Sequence, residues 1–334
     1  MKTRRQSFSR RLFAALLTVS ILSLLAFLTA CSNTIATPSD RYAIVIGIGL
    51  YDYSATCLYS DNDAYDMSNT LASKGWNVIT RLISWNSPTS NGENYTNGTP
   101  TLSAIEAAIS GLATNIGTDT NATVLVYFSG HGVENSGYLV PYDGLYSDYT
   151  ANMSLCISPA EMTKLMGNLR CKNKILIIDA CYSGAFVDTG SSIDTSPQDA
   201  YDNGTSGSSL LSAAIPDLGN LLAESIFQNG DPSVITISAA GAQESSYSGD
   251  GSSTSILRIG NGAFTFYLLQ AATLGDTNHN GYVTCTEAFN YAKSQILNVW
   301  DVLYANPPYP NGREVFLPHI SGGDGDVVLF VNRS

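Results

Sequence analysis

The body of the chain alternates short apolar runs with stretches of helical periodicity. The apolar runs are rich in β-branched residues and predict buried strands; they cover residues 42–48, 77–83, 123–128, 174–178 and 234–238. The stretches with helical spacing cover residues 63–74, 102–112, 158–169, 264–274 and 287–297. Repeated alternation of strand and helix predicts an α/β fold of three layers, with a mostly parallel central sheet and helices on both faces.

The first thirty residues have the pattern of an export signal. A basic start leads into the apolar run Leu12 to Leu28, which ends in Leu28-Thr29-Ala30-Cys31. This order resembles a bacterial lipoprotein signal peptide over residues 1–30, with Cys31 as the lipidated N-terminus of the product. An uncleaved signal anchor is the alternative. In the lipoprotein interpretation, residues 31–41 form a lipidated tether and residues 42–334 a domain anchored to a bacterial membrane, in the cell envelope and outside the cytoplasm.

The charge of the exported product disfavours one class of partner. The full chain has a net charge of −12, and residues 1–30 carry five basic and no acidic residues. A product that begins at Cys31 therefore has 11 basic and 28 acidic residues, a net charge of −17. Such a body repels nucleic acid and anionic lipid and attracts cationic ligands, so we expect no nucleic-acid partner.

Two predicted strands end in motifs that place a nucleophile and a base at one edge of the sheet. Residues 123–128 lead into Ser129-Gly130-His131-Gly132, and residues 174–178 lead into Asp179-Ala180-Cys181. Ligands of parallel sheets bind outside the carboxyl ends of the strands, so both side chains can face one crevice. There His131 would activate the Cys181 thiol. Taken singly, such a Cys is more often a buried structural thiol, and such a His a loop residue.

These blocks, together with strand 42–48 and Asn62-Asp63-Ala64, resemble the caspase-like cysteine peptidases. The His and the Cys are 50 residues apart, the separation typical of caspases, and the resemblance covers roughly residues 42–275, closer to the bacterial and metacaspase branch than to animal caspases. It implies a three-layer caspase-like fold, an endopeptidase acting on a peptide or protein, and a catalytic pair of His131 and Cys181. It also implies an oxyanion hole formed by the backbone amides of Gly132 and Cys181.

The same resemblance implies a preference for basic substrates. Animal caspases carry Gln two residues before the Cys, whereas this chain carries Asp179. In metacaspases an Asp at that position, and one in the Asn-Asp block, line the first specificity pocket; the equivalents are Asp179 and Asp63. Two carboxylates select Lys or Arg before the scissile bond. The alternative for Asp63 is a helix-start residue.

Residues 276–287 match the twelve-residue calcium loop of an EF-hand, with Gly at position six and Glu at position twelve. We therefore expect Ca²⁺ as a structural or regulatory cofactor. The predicted ligands are the side chains of Asp276, Asn278, Asn280 and Glu287, the carbonyl of Tyr282, and Thr284 through a water molecule. Only two of them are charged, which predicts modest affinity. A polar turn between two helices is the alternative.

A linker, residues 185–231, separates a larger front part of the domain from a smaller back part. It is predicted to be an exposed loop, and no Lys or Arg occurs between Lys174 and Arg258. An enzyme specific for basic residues would not cut this loop, so we expect the active protein to be a single chain. We also expect it to be a monomer.

Two functional alternatives are an inactive calcium-binding surface module on this fold and another thiol hydrolase, such as an amidase. Four further cysteines allow three disulfide pairings, between which the spacing does not decide.

Overall fold

A computed structural model describes residues 40–86, 95–187, 234–242, 244–248, 260–304, 316–322 and 327–332, without the side chains of residues 300–304. The chain divides into two units, Met1–Thr37 and Pro38–Ser334. The predicted signal peptide, residues 31–39 of the tether, and residues 188–231 of the predicted loop lie outside the described ranges. Within those ranges, no helix is long and apolar enough to cross a bilayer.

The central sheet has six strands in the order β2-β1-β3-β4-β5-β7. The strands of the described residues are β1 Arg41–Ile48, β2 Asn77–Ser84, β3 Thr123–Ser129, β4 Asn173–Asp179, β5 Val234–Ser238, β6 Tyr282–Thr284, β7 His319–Ser321 and β8 Val328–Val331. The first five pair in parallel, and β7 pairs antiparallel with β5. The predicted mostly parallel sheet is confirmed. Strands β6, β7 and β8 were not predicted, because three or four residues are too short to show a periodicity.

Five α-helices connect or flank these strands in the described residues. They are α1 Ser60–Ser73, α2 Leu102–Ile116, α3 Pro159–Gly167, α4 Ala263–Leu274 and α5 Cys285–Tyr304. Helix α3 begins where its sequence predicts: Ser158 and Glu161 form a reciprocal capping box and Pro159 follows the cap. Helix α1 begins three residues before its predicted start, at a left-handed Tyr59 with φ 72°.

The two faces of the sheet bury separate apolar cores, which makes the fold three-layered. Strand side chains alternate between the faces: Val45 packs with α1, α4 and α5, while Ile44 and Ile46 pack with α2 and α3. All three side chains are fully buried. The predicted arrangement of helices on both faces is therefore confirmed.

The sequence left the pairing of the cysteines open, and the described residues contain no disulfide. The five cysteines there are Cys57, Cys156, Cys171, Cys181 and Cys285. Cys285 is fully buried and Cys156 nearly so. Both side chains pack in the apolar cores, Cys285 on one face of the sheet and Cys156 on the other.

Candidate active site

One cleft opens at the carboxyl ends of β3 and β4, where the sequence predicted a catalytic crevice. Both His131 and Cys181 line it. The turn after β3 carries the imidazole and the turn after β4 carries the thiol, because the two strands pair in register from Thr123 with Asn173 to Ser129 with Asp179. The parallel register thus brings together two residues that are 50 positions apart in the chain.

His131 is held in place by Tyr51 and by Thr56. The backbone N–H of His131 donates to the Tyr51 hydroxyl at 2.6 Å, and the imidazole stacks on the Tyr51 ring with centroids 5.0 Å apart. Its Nε2 lies 3.0 Å from the carbonyl oxygen of Thr56. When Nε2–H donates to that carbonyl, Nδ1 is the unprotonated nitrogen that accepts a proton. The group that orients the imidazole is therefore a backbone carbonyl, which no side-chain motif could reveal.

Burial keeps both members of the pair neutral in the free protein. Desolvation lowers the pKa of His131, and burial raises the pKa of the Cys181 thiol. The thiol Sγ lies 3.7 Å from the carbonyl oxygen of Ser246. Opposite shifts of this kind favour an uncharged thiol beside an uncharged imidazole over a preformed thiolate and imidazolium. The arrangement suits a base that takes the thiol proton during attack.

Gly132 is a glycine because two backbones meet there. A Cβ at this position would lie 1.9 Å from the carbonyl oxygen of Cys181, closer than any side chain tolerates. The loop that carries His131 therefore packs directly on the peptide group of Cys181. The oxyanion role of the Gly132 amide stays a prediction.

The carboxylates of Asp63 and Asp179 lie together in the same cleft. Both side chains are buried, with 2% and 5% of their surface exposed. A Cβ added to Gly262 would be 2.4 Å from Asp179 Oδ2 and 2.9 Å from Asp63 Oδ2. The absence of a side chain at Gly262 thus leaves open the space that the two carboxylates share.

These carboxylates accept hydrogen bonds from elements far along the chain. The Ser129 hydroxyl and the Gly262 N–H each donate to Asp63 at 2.8 Å. The Ser246 hydroxyl donates to Asp179 at 2.6 Å, and Thr265 donates its N–H at 3.1 Å and its hydroxyl at 2.8 Å. The Asp63 side chain therefore reaches across the cleft instead of capping the start of α1.

Burial sets the ionisation of this acidic pair. It raises the pKa of both carboxyl groups, and the charge of Asp179 raises that of Asp63 further. The donated hydrogen bonds oppose these shifts without cancelling them. A buried pair of like charges is costly, and a cation placed between them would relieve that cost.

Four residues of this pocket were missed by sequence reasoning as members of the site. They are Ser129, Ser246, Gly262 and Thr265. Ser129 stands directly before the Gly-His-Gly block, and that position was the one signal available. The other three lie in later segments whose sequence carries no mark of the contact.

The predicted calcium loop lies outside this cleft, since none of its residues lines the cleft. Of the other histidines, His279 is in that loop and His319 is in β7, so neither competes with His131. Across the described ranges, no three His, Cys, Asp or Glu side chains cluster as a metal site of those ligands requires. A cation site in the loop would therefore combine its two carboxylates, Asp276 and Glu287, with amide, hydroxyl and carbonyl oxygens.

A thiol and an imidazole lie at adjacent strand ends of a three-layer α/β sheet, beside an acidic pocket, which is the arrangement that a cysteine hydrolase requires. The caspase domain family (Peptidase_C14) matches residues 40–296, so the chain belongs to this family of cysteine peptidases. It is similar to the crystal structure of caspase-1 from Spodoptera frugiperda, with a TM-score of 0.50 and 13% identity over 90% of this chain and 98% of that one. At that identity the likeness shows the fold. No curated protein is significantly similar in sequence.

Proposed function

We propose that the protein is a monomeric cysteine endopeptidase that cleaves after Arg or Lys, with His131 and Cys181 as its catalytic pair. One observation carries the specificity: two buried carboxylates stand beside the thiol, and no Lys or Arg is among the described residues that line the cleft. A guanidinium or ammonium group of the substrate would neutralise the pair and add charge-assisted hydrogen bonds. An acidic side chain there would add a third like charge.

The arrangement supports the following reaction. Nδ1 of His131 takes the thiol proton as Sγ of Cys181 attacks the carbonyl carbon, forming a tetrahedral intermediate. The imidazolium then protonates the leaving amine, the C–N bond breaks, and an acyl thioester remains. Water, deprotonated by the same imidazole, hydrolyses the thioester and regenerates the thiol. The amides of Gly132 and Cys181 are the proposed donors to the oxyanion.

The test is a set of fluorogenic peptides that end in Arg, Lys or Asp, assayed with wild type and variants. Cys181→Ala and His131→Ala should each lose at least about a thousandfold in kcat. Asp179→Asn should raise KM for Arg peptides by about tenfold or more, because it removes a charge-assisted contact. Asp148→Asn, an exposed carboxylate outside the cleft, is the control and should behave as wild type.

Two results would contradict this proposal. A preference for Asp peptides would refute the acidic pocket, and near-normal turnover by folded Cys181→Ala would refute the nucleophile. The inactive surface module is not favoured, since the chain matches a peptidase family and the cleft contains both a thiol and an imidazole. An amidase acting on small molecules would leave all three peptides uncut.

We further propose that the enzyme acts outside the cytoplasm of a bacterial cell, held to a membrane of the envelope through lipid on Cys31. The support is the apolar run that ends at Ala30-Cys31. Labelled palmitate should enter the wild type but not Cys31→Ser, and the variant should leave the membrane fraction. Equal labelling of both proteins would refute the proposal.

A further inference from the structure

The twelve residues of the predicted calcium loop join two helices of the described fold. Helix α4 ends at Leu274, the loop begins at Asp276, and α5 begins at Cys285. Position six is Gly281, whose φ of 84° lies in the region that favours glycine. Helix, loop and helix therefore follow in the order and with the sharp turn that an EF-hand requires.

The polar side chains of the loop point inward and share hydrogen-bond partners. Asp276 accepts from the N–H groups of Asn280 at 3.0 Å and Gly281 at 2.9 Å. Asn278 Oδ1 accepts from the same Asn280 N–H at 3.0 Å. From the far end, Glu287 Oε1 lies 2.7 Å from Asn278 Nδ2. The side chains at ligand positions one, three and twelve thus converge within a single turn of chain.

The small sheet beside the loop orients the backbone at ligand position seven. The N–H of Asn332 donates to the Gly281 carbonyl at 2.8 Å, and β6 pairs antiparallel with β8. The N–H and C=O groups of successive residues in a strand point to opposite sides. Since the Gly281 carbonyl faces β8, the N–H of Tyr282 faces the loop, where it donates to Asn280 Oδ1 at 2.8 Å. The Tyr282 carbonyl shares that side.

A capping box explains part of this arrangement and leaves the rest unexplained. Thr284 N–H donates to Glu287 Oε2 at 3.0 Å, and Glu287 N–H donates to Thr284 Oγ1 at 3.2 Å, as in Thr-x-x-Glu helix starts. A helix cap needs no Asp at position one, no Asn at positions three and five, and no Gly at position six. Those residues match oxygen ligation of a hard cation.

We propose that residues 276–287 bind one Ca²⁺ ion, through the side chains of Asp276, Asn278, Asn280 and Glu287, the Tyr282 carbonyl, and Thr284 through water. With two carboxylates, the dissociation constant should be about 10⁻⁴ to 10⁻³ M, the range of extracellular modules. Ca²⁺ should bind more tightly than Mg²⁺, which requires near-octahedral geometry and gives up its water reluctantly.

The ion would stabilise the helix that completes the substrate pocket. Helix α4 has twelve residues, a length of about 18 Å, and runs from the pocket to the loop. At its start, Gly262 and Thr265 donate to Asp63 and Asp179. Val283 of the loop packs in the same core as α4 and α5. Ca²⁺ at one end of α4 therefore supports the donors at its other end.

The experiment measures thermal unfolding of the full chain with added CaCl₂ or with a chelator. Glu287→Gln is the matched variant: Gln also forms a capping box, so α5 keeps its start, while the bidentate carboxylate is lost. Asp276→Asn is a second variant, and Glu106→Gln on α2 is the control. At about a hundredfold excess of Ca²⁺ over its dissociation constant, wild type and control should gain about 5 °C in Tm. Both loop variants should gain less than about 1 °C.

A direct binding measurement separates the loop from other cation sites. Tb³⁺ bound beside Tyr282 should emit on excitation of the tyrosine, and Ca²⁺ should displace it at concentrations at least about tenfold below those of Mg²⁺. Glu287→Gln should lose this emission. Equal Tm shifts in wild type and Glu287→Gln, no shift in wild type, or equal displacement by Mg²⁺ would each overturn the proposal. These readouts do not depend on peptidase activity.

Discussion

At the scale of residues, burial shifts the ionisation of each group in the site toward its neutral form. His131 has a lowered pKa and Cys181 a raised one. The pKa of each carboxyl group in the Asp63 and Asp179 pair is raised. Each shift comes first from desolvation, which disfavours the charged form. A bound cation would favour the charged form of the carboxyl pair, and the charged thiolate would form by proton transfer to His131.

The raised pKa of the Cys181 thiol predicts how this residue reacts with iodoacetamide. Because the pKa of Cys181 lies above its ordinary value of 9.0, the alkylation rate should keep rising with pH beyond pH 9. Burial raises the pKa of Cys57 and Cys285 to about 12, so they contribute little below pH 10. Rates measured by mass spectrometry, with Cys181→Ala as the background, check this. A rate that levels off below pH 8 would instead indicate a preformed thiolate.

The carboxylate pair predicts a pH dependence of stability. A carboxyl group with a raised folded pKa binds more protons in the folded than in the unfolded protein, so its stabilising contribution is lost as pH rises through the folded pKa. Asp179→Asn removes one such group. The Tm of Asp179→Asn minus that of wild type should therefore increase as the pH rises from 4 to 8, whereas the loss of hydrogen bonds to the carboxylate changes the difference by a constant amount. Differential scanning calorimetry between pH 4 and pH 8 measures both Tm values. A difference that stays constant or decreases as the pH rises would contradict the prediction.

At the scale of elements, the pocket depends on one tight turn that precedes α4. Asn62 Nδ2 donates to the Gly260 carbonyl at 3.1 Å, and Asn261 Nδ2 donates to Asp66 at 3.0 Å. Two hydrogen bonds from side-chain amides therefore hold the turn against α1, which also carries Asp63. They place Gly262 next to the carboxylates of Asp63 and Asp179.

Gly262→Ala should block this pocket. The new Cβ would lie 2.4 Å from Asp179 Oδ2, and that oxygen cannot move freely because Thr265 donates two hydrogen bonds to it. We expect kcat/KM for Arg peptides to fall by about a hundredfold, since a displacement of about 1 Å in a site has effects of that size. Kinetics and circular dichroism together separate a blocked pocket from an unfolded protein.

Gly111→Ala on α2 is the matched control, because nothing lies within 4 Å of its added Cβ. It should keep full activity and gain about 0.5–1 kcal/mol of stability, as Ala favours a helix over Gly. Normal cleavage of Arg peptides by Gly262→Ala would contradict the assignment of this space to the substrate side chain.

At the scale of the whole molecule, the chain links a front part that carries His131 and Cys181 to a back part that completes the pocket. Ser246 and Thr265 donate to Asp179 from positions after the linker. Both parts are therefore needed for one site. The linker itself contains no basic residue between Lys174 and Arg258.

The active enzyme should consequently remain a single chain. A peptidase that needs a cation between two buried carboxylates leaves that pair unneutralised on any other side chain, which is costly. Intact-mass analysis of purified, active protein should show no cut between Ala185 and Asp231. A cut there in wild type that is absent from Cys181→Ala would contradict both the single-chain prediction and the specificity for basic residues.

The sequence predicted the five parallel strands of the sheet and placed His131 and Cys181 at one edge of it. Strand β5 was predicted with its observed ends, Val234–Ser238, because buried parallel strands are local apolar runs. The Cys and the His could be placed together without coordinates, since parallel strands end at one edge of a sheet. Asp63 came from resemblance, and its cleft position agrees with the pocket interpretation over the helix-start one.

Tertiary structure decided what lies around those residues. The partners of the acidic pair are 66 residues away for Ser129, 86 for Thr265 and 199 for Gly262, and the carbonyl that orients His131 belongs to Thr56, 75 residues earlier. Strands β6 and β8 exist because they pair with each other. Such contacts depend on how distant segments pack and on backbone groups that every residue possesses, so no local pattern of side chains records them.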